Sequence, residues 1–197
     1  MKGVSRRQLY AEDTREAILN SAQALFCRDS FAGTSIDTIA AQAQVTKGAI
    51  YHHFKDKRAV FEACFERQAR QVSETIATAP NGDNNWQTAF NQCHAFLNFI
   101  LAHGSNTIPL QEVITVLGWE QWQKIDSSHT IRHIENIVSQ LQNSGQMKPY
   151  STNVAVSLIY GLLVGAVMTL STQPNVKQTT KDLDSMIKDM LLGLKAI

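Results

Sequence analysis

Apolar residues recur three and four positions apart over most of this chain, and that spacing predicts a protein built of helices. Residues 14–28 place Ile18, Ala22, Leu25 and Phe26 on one face, with Asp13 or Thr14 as N-cap and Glu16 in the first turn. Phe31, Ala32 and Gly33 break that pattern. Two short elements follow at 36–43 and 47–54, capped by Ser35 and Thr46, with Asp37 complementing the first helix dipole. A longer stripe over 57–78 turns Val60, Phe61, Cys64, Phe65, Val72 and Ile76 inward, and residues 80–85 form the clearest linker. Helices are expected at 86–103, 128–144, 153–171 and 179–195, with a break at 104–107 and a further segment at 109–125. The first ten residues are polar and read as a mobile arm. The fold class is therefore all-α: an N-terminal three-helix bundle, then a larger helical domain, about nine helices in total.

The two short elements at 36–43 and 47–54 have the layout of a helix-turn-helix. The helices of that motif cross closely, so a small residue is needed near the end of the first, and Ala40 fits. Ile50 supplies the apolar contact inside the second, and Val45 closes the turn. The outward face of the second helix is then Lys47, Gly48, Ala49, Tyr51 and His52. A lysine near the helix start can reach guanine O6/N7 or a phosphate, and Gly48 and Ala49 let the backbone approach base edges. Tyr51, His52, His53 and Lys57 can bond phosphate oxygens, which fix register without reading sequence. The amide ends beside Ser35 and Thr46 are further anion sites. The plain alternative is that Lys47, Lys55, Lys57 and Arg58 form a solvated charge run.

Net charge is only +1, so basicity as a whole does not announce nucleic acid. Its distribution does more. Residues 1–58 hold nine Lys/Arg and six Asp/Glu, whereas residues 59–197 hold nine and eleven. A basic head on an acidic body fits phosphate contact at one end. The 44% apolar content is ordinary for a globular chain of 197 residues. Cys27, Cys64 and Cys93 are far apart and odd in number, as expected for core residues in a reducing compartment. The charged N-terminus lacks a following apolar run, which predicts no signal peptide and a cytoplasmic protein.

The run from Thr34-Ser35 through Ile39-Ala40 to Val45-Thr46-Lys47-Gly48-Ala49-Ile50-Tyr51-His52-His53-Phe54-Lys55-Asp56-Lys57 resembles the DNA-binding signature of the TetR/AcrR family of bacterial transcriptional regulators. The resemblance covers about residues 12–65, and a stretch from Leu117 to Asp126 is similar to one in the body of some members. It implies a homodimer that uses three N-terminal helices for double-stranded DNA. It also implies that the last two helices pair with the partner in a four-helix bundle, and that a small-molecule effector releases the DNA. On that basis residues 1–58 are expected to bind DNA through Thr34, Ser35, Thr46, Lys47, Gly48, Ala49, Tyr51, His52, His53 and Lys57. Residues 59–197 are expected to bind ligand and dimerise. One departure is Gln44, where the family commonly has glycine in the turn. A left-handed backbone there costs about 1 kcal/mol or more.

Within the body, the uncharged stretch 154–170 carries Gly161 and Gly165 and is at the lower edge of membrane-spanning length. No Lys/Arg cluster flanks it, so it is expected to be a helix buried on most sides in a dimer interface rather than an anchor. The interface is expected to hold Leu158, Gly161, Gly165, Met168, Leu183, Met186, Met190 and Leu194. An apolar pocket is expected from Phe96, Phe99, His103, Trp119, Trp122 and His133, suited to a largely apolar ligand. Taken singly, each of these reads more readily as an ordinary core or dimer contact. His129 and His133 stand at i, i+4 but lack further ligands at a diagnostic spacing, so no metal site is expected. No nucleophile, phosphate-loop or zinc-protease motif occurs, so neither catalytic residues nor a cofactor are expected. Two other classes stay open: a small-molecule-binding or protein-interaction module without specific DNA binding, and an enzyme using an unforeseen metal or cofactor.

Overall fold

The computed structural model describes residues 6–173 and 175–196. They form α1 (Arg6–Gly33), α2 (Ile36–Ala43), α3 (Lys47–His53), α4 (Lys57–Ala77), α5 (Asn85–His103), α6 (Leu110–Leu117), α7 (Trp119–Asp126), α8 (Arg132–Asn143), α9 (Thr152–Thr172) and α10 (Val176–Leu192). Among these residues there is no β-strand beyond a single bridge between Met147 and Lys195. A π-helical turn, Ser127–Ile131, joins α7 to α8 without a break, so the two form one helical path and the expected nine helices result.

Two compact units emerge: Met1–Arg67 with Ser105–Trp119, and Gln68–Gly104 with Glu120–Ile197. The division falls inside α4 rather than at residue 58, and α6 belongs with the N-terminal helices. In the first unit Ile18, Leu19, Ala22, Phe26, Ile39, Ile50, Val60 and Phe61 are buried. Phe26, Phe31 and Phe61 pack edge-on and stacked, with ring centres 5.0–5.9 Å apart. Arg67 anchors α4 to α1 through the Leu19 carbonyl at 3.0 Å, the Asn20 and Gln23 side chains at 2.8 Å, and Glu16 at 3.3 Å. In the second unit the core is Phe96, Leu97, Trp122, Val138, Leu163, Ile187 and Leu191.

Several boundaries differ from the sequence pattern for local reasons. α1 starts eight residues before position 14, because the Thr14 hydroxyl bonds back to the Tyr10 carbonyl at 2.8 Å and so sits inside a helix instead of capping one. Residues 6–10 of the expected arm are helical, and the remainder of that arm lies outside the described residues. Gly118, at φ +81°, divides the expected 109–125 segment into α6 and α7. α10 starts at Val176, ahead of 179, because the Asn175 side chain caps it through the Gln178 amide.

The turn between α2 and α3 carries the expected strain. Gln44 is left-handed at φ 55°, ψ 39°, and its N–H and that of Val45 close on the Ala41 and Ala40 carbonyls at 3.3 and 3.0 Å. The side chain is exposed, so nothing is lost by removing it. Gln44→Gly is therefore expected to raise stability by roughly 0.5–1 kcal/mol, since the relieved left-handed strain of about 1–2 kcal/mol exceeds the entropy cost of glycine. Chemical denaturation of the two proteins checks this.

Candidate nucleic-acid interface and body cavity

Seven residues make α3, and one of them, Ile50, is fully buried. Its N-terminus is fixed by Thr46, whose hydroxyl accepts from the Ala49 amide at 3.1 Å. Its last turn is closed by the Phe54 amide bonding to the Ile50 carbonyl at 2.8 Å. α2 is held by a reciprocal box: the Ser35 hydroxyl accepts from the Thr38 amide at 3.0 Å, and the Thr38 hydroxyl accepts from the Ser35 amide at 3.0 Å. These caps turn Lys47, Gly48, Tyr51 and His52 outward, all exposed, with Ala49 half-buried. Lys47 and Asp37 form an exposed ion pair at 3.0 Å across the two helices. A side chain at Gly48 would meet nothing closer than the Thr46 hydroxyl at 3.8 Å, so packing does not require glycine there.

Three expected contact residues are placed differently. Thr34 is buried and its hydroxyl is spent on the Ser30 carbonyl at 2.8 Å. Lys57 turns inward: its ammonium donates to the Phe31 and Thr34 carbonyls at 2.7 and 2.8 Å and lies 4.2 Å from the centre of the Phe31 ring. It ties the end of α1 to the start of α4 rather than presenting a charge to solvent. His53 is half-buried, and burial with the neighbouring His52 pushes its pKa below the ordinary value, so its ring is neutral at pH 7.

How α6 engages this unit leaves no trace in the helical periodicity. The Glu112 carboxylate accepts the Phe31 amide proton, and Arg58 donates to the Val116 and Leu117 carbonyls at 3.2 and 2.9 Å, satisfying the open end of α6.

In the second unit, α5, α8, α9 and α10 and the end of α4 enclose an apolar cavity of about 40 Å³. Phe96 and His133 of the expected set line it, together with Trp86, Gln92, Cys93 and Thr130. Phe99 and His103 instead line an open groove between α4 and α5, of about 620 Å³, where their rings stack at 4.4 Å. Trp122 is buried against Tyr160, ring centres 5.9 Å apart, and Trp119 is exposed. Leu194, expected on an outer face, lines the cavity, because α10 ends at Leu192 and the chain turns back to bond Lys148.

Beside the cavity lies a polar cluster that hydropathy did not reveal. Asp126 ends α7 and accepts from the Tyr160 hydroxyl and, at 3.0 Å, from the Thr130 hydroxyl in the π turn. Burial raises the Asp126 pKa, against the pull of both hydroxyls and of His129. Burial of the Tyr160 phenol, with Asp126 close by, raises the Tyr160 pKa too.

α9 is not buried on most sides within the chain. Val154, Leu158, Gly161 and Gly165 are exposed along one face, and Met186 and Met190 are exposed on α10. Met168 and Leu183 are half-buried. Among the described residues α9 is the one helix long and apolar enough to cross a membrane by length and composition, and 33% of its apolar window is buried.

Family models match both parts of the chain. The model for the tetracyclin repressor-like C-terminal domain matches residues 86–194, and that for bacterial regulatory proteins of the tetR family matches residues 18–64. The chain belongs to the TetR family. Its similarity to the TetC protein of transposon Tn10 from Escherichia coli is 29% identity over 99% of both chains. A shorter match, 42% identical over 64 residues, joins it to the transcriptional regulator AcrR of Shigella flexneri, covering 32% of this chain and 30% of that one. A crystal structure of a TetR-family transcriptional regulator from Pectobacterium atrosepticum superposes with a TM-score of 0.78 at 25% identity, covering 98% and 99% of the two chains. As in TetR-family regulators generally, a helix-turn-helix head here accompanies a body of its own.

Lys57→Met is expected to destabilise the protein by about 1–3 kcal/mol, because two carbonyls lose a charged donor. Lys47→Ala is expected to leave the unfolding midpoint unchanged; urea titrations compare the two. Asp126 has its folded pKa raised, so its contribution to stability is present below the unfolded value near 4 and is lost as pH rises through the folded one. Asp126→Asn, which removes the buried charge, keeps an acceptor for one hydroxyl and turns an amide donor toward the oxygen of the other, is therefore expected to be more stable than the parent at pH 8. That gap should close as pH approaches about 4 in a thermal-denaturation series.

Proposed function

We propose that this protein is a homodimeric, sequence-specific transcriptional repressor of the cytoplasm, released from a pseudo-palindromic DNA operator by a small molecule. It has no catalytic or membrane role in this reading. The observation that carries it is the division of α3. Ile50 is the one fully buried residue of the helix, with Ala49 and His53 half-buried, while Lys47, Gly48, Tyr51 and His52 are exposed and left to a partner. Gly48 supports a close approach to DNA, since the fold itself leaves room for a side chain there. Lys47 and Ala49 serve base edges, while Tyr51, His52, Ser35 and Thr46 serve phosphates. Thr34 and Lys57 act indirectly, by fixing the α1–α2 corner from which the head is built.

The second copy is supported by the exposed apolar face of α9 and α10. Leu158 is 70% exposed, and Met186 and Met190 are each more than half exposed. Side chains at Gly161 and Gly165 would meet nothing within 4 Å, so their smallness serves something outside the chain. Two α3 helices on a two-fold axis then read half-sites about one helical turn apart. The effector acts by preferring a body conformation that holds the heads off that spacing, a coupling typically worth about 1–3 kcal/mol. α4 begins in the head and ends at the cavity wall, and α6 grips the head through Glu112 and Arg58. Both are routes for that coupling.

Selection from random DNA should yield a sequence with two-fold symmetry. Lys47→Ala and Tyr51→Ala should each weaken binding to it, and Lys47→Ala should lower the slope of log affinity against log salt by about 1. Intact specific binding in both variants would show that α3 presents a different face. Leu158→Glu with Met190→Lys should sediment as a monomer and lose the operator, while retaining a helical circular dichroism spectrum.

A further inference from the structure

The helix-turn-helix carries almost no net charge of its own. Between Thr34 and Phe54, histidines aside, the chain holds one acid, Asp37, and one base, Lys47. The two are paired with each other: the Lys47 ammonium lies 3.0 Å from both oxygens of the Asp37 carboxylate. The hydrogen bond to Asp37 also raises the Lys47 pKa, so the ammonium stays charged. Both side chains are open to solvent, 51% exposed for Lys47 and 70% for Asp37. An ion pair this open adds little to stability. α2 and α3 are held instead by the caps at Ser35 and Thr46 and by burial of Ile39, Ala40 and Ile50. What the pair alters is the character of the lysine.

The two members differ in freedom. Asp37 has a short stem and sits in the first turn of α2, where the helix dipole favours a carboxylate. Lys47 has a flexible four-carbon stem, and alone it would reach any phosphate within its sweep. Pairing with Asp37 removes that sweep and cancels the point charge. An ammonium has three donors, and the two oxygens of Asp37 occupy two of them. One N–H is left, on the exposed face that Lys47 shares with Gly48 and Tyr51. A neutralised lysine of this kind is a poor phosphate ligand, yet it still donates a hydrogen bond, which guanine O6 or N7 can accept. Given the reading of α3 as the helix that meets DNA, we propose that Asp37 is a specificity-determining residue, which withholds Lys47 from phosphates and directs its remaining N–H to a base edge. Asp37 acts through Lys47 and is a positioning residue.

The test uses the full chain, the sequence selected from random DNA, and a random-sequence duplex of the same length. Asp37→Asn leaves the Lys47 charge uncompensated. Affinity for the random duplex is expected to rise about tenfold at low salt, and the slope of log affinity against log salt to steepen by about 1. Affinity for the selected sequence should rise less, so the ratio of the two falls. Lys47→Ala, which leaves Asp37 uncompensated, moves the slope the other way. Each base pair of the selected sequence is then replaced in turn. The position at which Lys47→Ala stops discriminating is the one Lys47 reads. Replacement there should cost the parent about tenfold in affinity and Asp37→Asn less than about threefold. The urea midpoint of Asp37→Asn should match that of the parent. The proposal is overturned if Asp37→Asn raises both affinities by one factor, which is bulk charge alone, or keeps the parent's discrimination at that position. It is overturned equally if Asp37→Asn weakens both affinities together, or if Lys47→Ala alters discrimination at no base pair. Those failures leave the DNA-binding reading intact. A parent that prefers no sequence over the random duplex defeats that reading, and the proposal with it.

Discussion

A helix of seven residues does not hold its shape alone in water, because the cost of nucleation exceeds what so few hydrogen bonds return. α3 is such a helix, and its order is borrowed from one side chain. Ile50 is fully buried against the core of the first unit, while most other residues of α3 face outward. The rest of that unit serves this dependence. Thr46 and Phe54 close the two ends, the left-handed turn at Gln44 joins the helix to α2, and α1 and α2 pack against it. A face freed from packing duty is a face available for recognition. That is why the residues with the least structural need of their identity, Gly48 among them, carry the functional reading.

The body shows the complementary economy. Its cavity is apolar and adjacent to a polar triad formed by Asp126, Thr130 and Tyr160. A buried carboxylate held mainly by two hydroxyl donors is a costly arrangement unless it sets something in place. Here it fixes the π turn that joins α7 to α8 and delivers Thr130 to the cavity wall. Irregular helical turns of this type concentrate at functional sites, since they redirect side chains that a regular helix would send elsewhere.

Much of this was legible in the chain. Helix-period apolar spacing identified nearly every helix, and Ser35 and Thr46 announced the two short helices because capping is a local interaction between a side chain and amides two or three residues away. The strain at Gln44 was readable for the same reason. Lys57 misled: beside Lys55 and Arg58 it looks like surface charge, but its ammonium is claimed by carbonyls more than twenty residues away. Thr14 misled in the opposite sense, being bonded within a helix that it was expected to start. Aromatic residues of the body looked alike in sequence. Only packing sends Phe96 to the cavity, Phe99 to the open groove and Trp122 onto Tyr160.

The sequence by itself determined what depends on neighbours along the chain: the all-helical class, the caps, the strained turn and the outward face of α3. Those follow from interactions spanning about one helical turn, whose partners are fixed by residue spacing. Tertiary structure alone decided which charges are free, which aromatics share a cavity, and that α6 packs with the N-terminal helices. Each of those turns on groups tens of residues apart meeting in space, as Arg58 meets the end of α6 and Tyr160 meets Asp126. Periodicity names the face a side chain lies on, but burial and hydrogen bonding across elements decide what that side chain can still do.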